Sequence, residues 1–196
     1  AIAAHRLGEK GIETLVLERG RRWNTGPNQD TFCTNEKPDG RAGWLTDKAP
    51  IFKPAKIEKE TGLIETLNED GITVWASCGV GGGSLVYNTV LLQPTEKNFY
   101  QCFPSEVSYE EMDKVFYPRV IEMLEAGPIP DDVLNSKYFE NARITQDLLN
   151  EADVPSKRLN VGTNWHVVRK EINGALKPSA IAGEIWYGAN SGYKNS

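Results

Sequence analysis

The sequence predicts a mixed α/β (α+β) fold, and three observations carry that expectation. Ala1, Ile2, Ala3, Ala4 and Leu7 are strong helix formers, and they lead past Gly8 and Gly11 into the short apolar run Thr14-Leu15-Val16-Leu17. A glycine-dense loop, Gly79-Val80-Gly81-Gly82-Gly83-Ser84, lies between two β-type runs. From Pro94 onward, helix caps and amphipathic spacing take over.

The opening segment reads as a helix closed by Gly8 or Gly11. Thr14-Leu15-Val16-Leu17 follows and is ended by Glu18-Arg19-Gly20; its length and its place after a helix fit a buried parallel strand. Residues 1–20 therefore predict the second half of a βαβ unit, part of an incomplete Rossmann-like, dinucleotide-binding domain. In that fold an acid at the end of the second strand holds a ribose hydroxyl pair, and Glu18 stands there. The phosphate-binding turn that should precede the helix is not in the sequence, and the chain reads as an internal portion of a longer protein.

Residues 21–71 are rich in Pro, Gly, Asn, Asp and Lys, with aromatic residues at Trp23, Phe32, Trp44 and Phe52. They predict a long loop excursion with a turn at Lys37-Pro38-Asp39-Gly40, in which Trp23 and Trp44 act as packing residues. Glu69-Asp70-Gly71 predicts a turn into the strand Ile72-Thr73-Val74-Trp75-Ala76.

The glycine loop follows directly. Consecutive glycines lose much backbone entropy on ordering, so their presence points to a close backbone approach. A dinucleotide fingerprint would open a helix, but Leu85-Val86-Tyr87-Asn88-Thr89-Val90-Leu91-Leu92 is apolar and β-branched up to Pro94. The loop thus reads as a second glycine contact beside a diphosphate or a planar ring, with a turn or hinge as the bland alternative. Ser84 and Asn88 offer polar contacts or equally local turn bonding.

Ser108 and Glu111 have capping-box spacing and predict a helix start. Met112, Val115 and Phe116 give that helix a core face, and Pro118 is expected to interrupt it before Val120, Ile121 and Leu124. Residues 136–152 predict a second amphipathic helix through Phe139, Ala142, Leu148, Leu149 and Ala152. The remainder, with Trp165, Trp186 and Tyr187, reads as loop-rich. The expected division is residues 1–94, a dinucleotide-binding portion, and residues 95–196, a helical and loop-rich region leading toward a substrate domain.

Composition narrows the function classes. With 25% charged residues, a net charge of −5 and no basic cluster, the chain lacks the electrostatic footprint of a nucleic-acid binder. Cys33, Cys78 and Cys102, with His5 and His166, show neither metal-ligand nor disulfide-framework spacing, so no metal is expected.

Three stretches together resemble one family: residues 11–20 with Trp23-Asn24; Cys78-Gly79-Val80-Gly81-Gly82-Gly83-Ser84-Leu85-Val86; and Phe103-Pro104 through Tyr117-Pro118-Arg119 with Met123-Leu124. The tail Lys177-Pro178-Ser179-Ala180 and Glu184-Ile185-Trp186-Tyr187-Gly188-Ala189-Asn190 extends the likeness. In order and spacing these are similar to the bacterial cholesterol oxidases of the non-covalent FAD type, within the glucose–methanol–choline oxidoreductases.

The resemblance implies an FAD-dependent enzyme that oxidises an alcohol, classically a 3β-hydroxysterol, with oxygen as acceptor, and a transient membrane-surface contact for such a substrate. It implies cofactor contacts at Glu18, Gly81, Gly82, Gly83 and Ser84, and backbone contacts at Tyr87, Asn88 and Val90. The family's catalytic carboxylate, histidine and asparagine lie downstream of the matched region, so no residue here is assigned a catalytic role; the 196 residues alone are expected to be inactive and, without the first phosphate turn, to bind FAD weakly or not at all. Where the family has asparagine and then glycines after Val86, this chain has Tyr87-Asn88-Thr89, which adds bulk beside the ring. A related dehydrogenase acting on another alcohol and an inactive truncated flavoprotein are the competing readings. Location is left open between the bacterial cytoplasm and secretion.

Overall fold

A computed structural model describes residues 1–28, 30–51, 55–184 and 187–195. Phe52, Ile185 and Trp186, singled out above, lie outside the described residues. The chain is mixed helix and strand with one two-stranded sheet, β1 (Ile64–Glu69) and β2 (Ile72–Ser77). It forms two units, one of Ala1–Tyr87 with Glu184–Asn190, the other of Asn88–Gly183 with Ser191–Ser196.

The first unit opens with α1 (Ile2–Glu9). Its C-terminus is closed as the sequence implies: Gly11 takes φ +69°, its amide donates to Gly8 O at 2.9 Å, and the Ile12 amide donates to Leu7 O at 3.0 Å. The apolar run after it is a correction. Thr14-Leu15-Val16-Leu17 forms no strand, and Leu15 and Leu17 are 83% and 86% exposed. A parallel strand needs neighbours on its ladder, and no described segment supplies one. The sheet is instead an antiparallel hairpin that pairs Ile64 with Ser77 and Glu69 with Ile72 across Asp70-Gly71, with Gly71 at φ +78°.

The excursion 21–71 is also corrected, because it contains the unit's core rather than hanging from it. Trp23, Phe32, Cys33, Ala42, Ala49, Ile51, Ile57, Leu63 and Ile64 are buried together with Tyr187. Trp23 and Phe32 stack with centroids 5.6 Å apart. Isolated bridges such as Gly43 to Ile64 and Lys48 to Lys56 hold the segments, and β1 occupies the excursion's last residues. The expected turn at 37–40 is displaced: the amide of Lys37 closes on Thr34 O, and that of Ala42 on Asp39 O.

The second unit contains α2 (Glu96–Phe99), α3 (Tyr109–Glu111), α4 (Tyr117–Met123), α5 (Asp131–Leu134), α6 (Glu140–Glu151) and α7 (Trp165–Ile172). Thr95, Ser108 and Asn164 cap α2, α3 and α7; Ser108 Oγ accepts the Glu111 amide at 3.2 Å. Pro118 does not interrupt the helix. A π-helical turn, Met112–Phe116, joins α3 to α4, and the Tyr117 amide reaches back to Met112 O. The wider turn ends at Phe116, and Pro118 follows in the first turn of α4.

Val115, Phe116 and Val120, expected as core, are exposed, and α6 has no buried residue. The helices of this unit bury only selected side chains, among them Phe99, Val133, Leu134 and Val168. The helix α7 lies in a region expected to be loop. Among the described residues no helix is long and apolar enough to cross a membrane.

Candidate functional site

The backbone from Glu18 to Trp23 runs against the start of the glycine loop. Glu18 Oε1 accepts the amide of Gly20 at 2.8 Å and that of Gly79 at 3.2 Å. The Val80 amide donates to Arg21 O at 3.1 Å, and the Trp23 indole Nε1 donates to Cys78 O at 3.2 Å. Glycine is required on both sides of this crossing. A Cβ on Gly20 would lie 2.3 Å from Gly79 N, and one on Gly79 would lie 2.6 Å from the Trp23 ring. The expected acid and the expected loop are therefore brought together across 61 residues. Glu18 is exposed, and its Oε2 accepts no hydrogen bond among the described residues.

Arg19 grips the same loop base from its other side. It donates to Glu65 and, at 3.1 Å, to Cys78 Sγ, and its guanidinium sits 5.0 Å from the centroid of Trp44. The Glu65 carboxylate raises the Arg19 pKa, so the cation is further secured. Burial pushes the Cys78 thiol up despite the neighbouring arginine, which marks it as a packed thiol rather than a thiolate nucleophile.

Past this crossing the loop opens. The Gly82 amide closes a turn on Gly79 O at 2.9 Å, and a 3₁₀ turn spans Gly82–Leu85. Gly81 and Gly82 take φ +119° and +57°. A Cβ on Gly82 or Gly83 would meet nothing within 4 Å, and the amides of Gly81 and Gly83 donate to no acceptor among the described residues. These are unpaired donors on an open backbone, the arrangement that suits an anion or a flat polar ring.

The other expected contacts fare differently. Ser84 Oγ donates to Gly81 O at 2.9 Å, so this hydroxyl stabilises the turn. The Tyr87 amide donates to Gly83 O at 3.0 Å and is occupied, which removes it as a backbone donor to a ligand. Asn88 and Val90 belong to the second unit. There Thr89 takes φ +60°, unusual for a β-branched residue, and its hydroxyl meets that of Thr163 at 2.9 Å in a buried pair. Val90 bridges Val161 and lines a cleft of about 360 Å³ beside the π-helical turn, with Met112 and Phe116.

Sequence reasoning missed Arg19, Glu65 and Trp44 as a cluster around Cys78. Arg19 directly follows the expected acid, which was the available signal; nothing in the sequence around Glu65 marks it. No protein-family model matches the chain.

Chemically, the site offers one exposed carboxylate oxygen, Glu18 Oε2, and two open backbone donors, the Gly81 and Gly83 amides.

Proposed function

We propose that the chain belongs to an FAD-dependent oxidoreductase that oxidises the CH–OH group of an alcohol of the 3β-hydroxysterol class, with oxygen as acceptor. The observation that carries the reading is the Glu18–Gly79 hydrogen bond, which joins the ribose-type acid to the glycine loop. In this reading Glu18 accepts from the adenosine ribose, while the amides of Gly81 and Gly83 meet the diphosphate. Ser84 holds the loop's turn. Gly20 and Gly79 serve by having no side chain, since a Cβ on either would force the acid and the loop apart.

The flavin, when bound, supplies the hydride acceptor, and the chain's part is to bind and orient it. Asn88 and Val90 lie in the second unit and are given no part in this site. No side chain of this chain is assigned as the base that takes the alcohol proton.

A calorimetric titration with FAD and, separately, with riboflavin tests the reading. Weak, saturable binding of FAD without binding of riboflavin is expected, because the first phosphate turn is missing and the proposed contacts are to the adenosine and diphosphate half. Equal binding of the two, or binding of neither, contradicts it.

A further inference from the structure

Two carboxylates and one guanidinium surround the base of the glycine loop. Glu18 binds the Gly79 amide, and Arg19 binds Cys78 Sγ on the preceding residue, so acid and base grip neighbouring points of one backbone. In dinucleotide sites an acid beside the ribose favours the free 2′-hydroxyl, whereas a nearby arginine accommodates a 2′-phosphate. This chain has both, side by side. Arg19, however, is held: Glu65 of β1 takes its Nη1 at 3.5 Å and more closely its Nη2, and Trp44 lies against its face.

Resting on the adenosine reading above, we propose that Glu65 determines specificity at this site: it neutralises and anchors Arg19, leaving Glu18 to select a free 2′-hydroxyl and reject a 2′-phosphorylated nucleotide. The charges favour this with Arg19 held in place. Glu18 and Glu65 against Arg19 leave one net negative charge beside the ribose position, which repels a phosphate. Glu65→Gln brings the sum to zero, and Arg19→Met in addition restores one negative charge. Each substitution alters a partly or largely exposed side chain, and glutamine keeps the volume of Glu65. Arg21 and Glu60, 3.7 Å apart, cancel each other and do not change the count.

The test compares binding of adenosine 5′-monophosphate with binding of adenosine 2′,5′-bisphosphate, which differ only at the 2′ position, by the 196-residue chain at low salt, followed by backbone amide NMR shifts. The wild type is expected to prefer the 2′-hydroxyl nucleotide by about tenfold, Glu65→Gln to approach parity, and the double variant Arg19→Met/Glu65→Gln to regain the preference. A purely structural role for Glu65 would weaken both nucleotides alike and leave their ratio unchanged. Preference in the wild type that Glu65→Gln does not alter overturns this inference and leaves the adenosine reading standing. No preference in the wild type also overturns it. No binding of either nucleotide overturns the adenosine reading and this inference with it.

Discussion

Glu18 and Gly79, far apart in sequence, share a hydrogen bond of 3.2 Å from the glycine amide to the carboxylate. That bond turns two separate local signals, an acid after an apolar run and a dense glycine loop, into one place on the molecule. The adjoining contact is tighter still, because the backbone at Gly20 passes where no side chain could stand.

Gly20→Ala is therefore expected to destabilise the first unit. Its added Cβ would lie 2.3 Å from Gly79 N and 2.4 Å from Cys78 C, both backbone atoms that cannot rotate away. A loss of roughly 2–4 kcal/mol is the scale of such overpacking in a fixed crossing. Urea denaturation followed by tryptophan emission measures it; an unchanged midpoint would show that the crossing is looser than described.

Gly83→Ala separates binding from folding. The added methyl meets nothing within 4 Å, and Gly83 does not take a positive φ, so stability should change by no more than about 0.5 kcal/mol. FAD affinity should nevertheless fall, by about tenfold, because the methyl adds bulk beside the open amide. Gly82 is the poorer probe, since its φ of +57° would strain any substitute and confound the two effects. Full FAD affinity in Gly83→Ala would remove Gly83 from the site.

Ser108→Ala should cost about 1 kcal/mol by leaving the Glu111 amide without its cap, and Ser108→Asp should restore most of it. Helical ellipticity and the denaturation midpoint report both. Equal stability of the alanine and wild-type chains would contradict the cap.

Burial lowers the pKa of Lys194 from 10.5 to about 8. The unfolded chain therefore holds this proton over a range where the folded chain has released it, and stability gains as pH rises from about 8 to 10.5. The same contribution is lost as pH falls through the folded value. Thermal unfolding at stepped pH should show this rise in the wild type and not in Lys194→Met. A rise of equal size in the variant would assign it to other groups.

The parts of this molecule that sequence reveals are those set by local chemistry. The closure of α1 at Gly11, the turn at Gly71 and the Ser108 cap each follow from a residue whose own backbone or side chain performs the task. Burial is different, because it depends on what lies opposite. Thr14-Leu15-Val16-Leu17 has the composition of a buried strand yet is exposed, and β1 was hidden by the polar Glu65, Thr66, Asn68 and Glu69. The core of residues 21–71 is assembled from short segments joined by single bridges, which leave no periodicity to read. At the site, Glu18 and the glycines were legible one by one. The Arg19–Glu65 pair was not, since an ion pair spanning 46 residues has no local signature.

The most direct test of the central claim, that Glu18 and the glycine loop form one adenosine–diphosphate site, is an amide NMR titration of the chain and of Glu18→Gln with adenosine 5′-diphosphate. In the wild type the amides of Gly79, Gly81 and Gly83 should shift together along one saturable curve, and in Glu18→Gln the affinity should fall by about tenfold while the fold persists. Shifts confined to other residues, or equal affinity in the two chains, would contradict it.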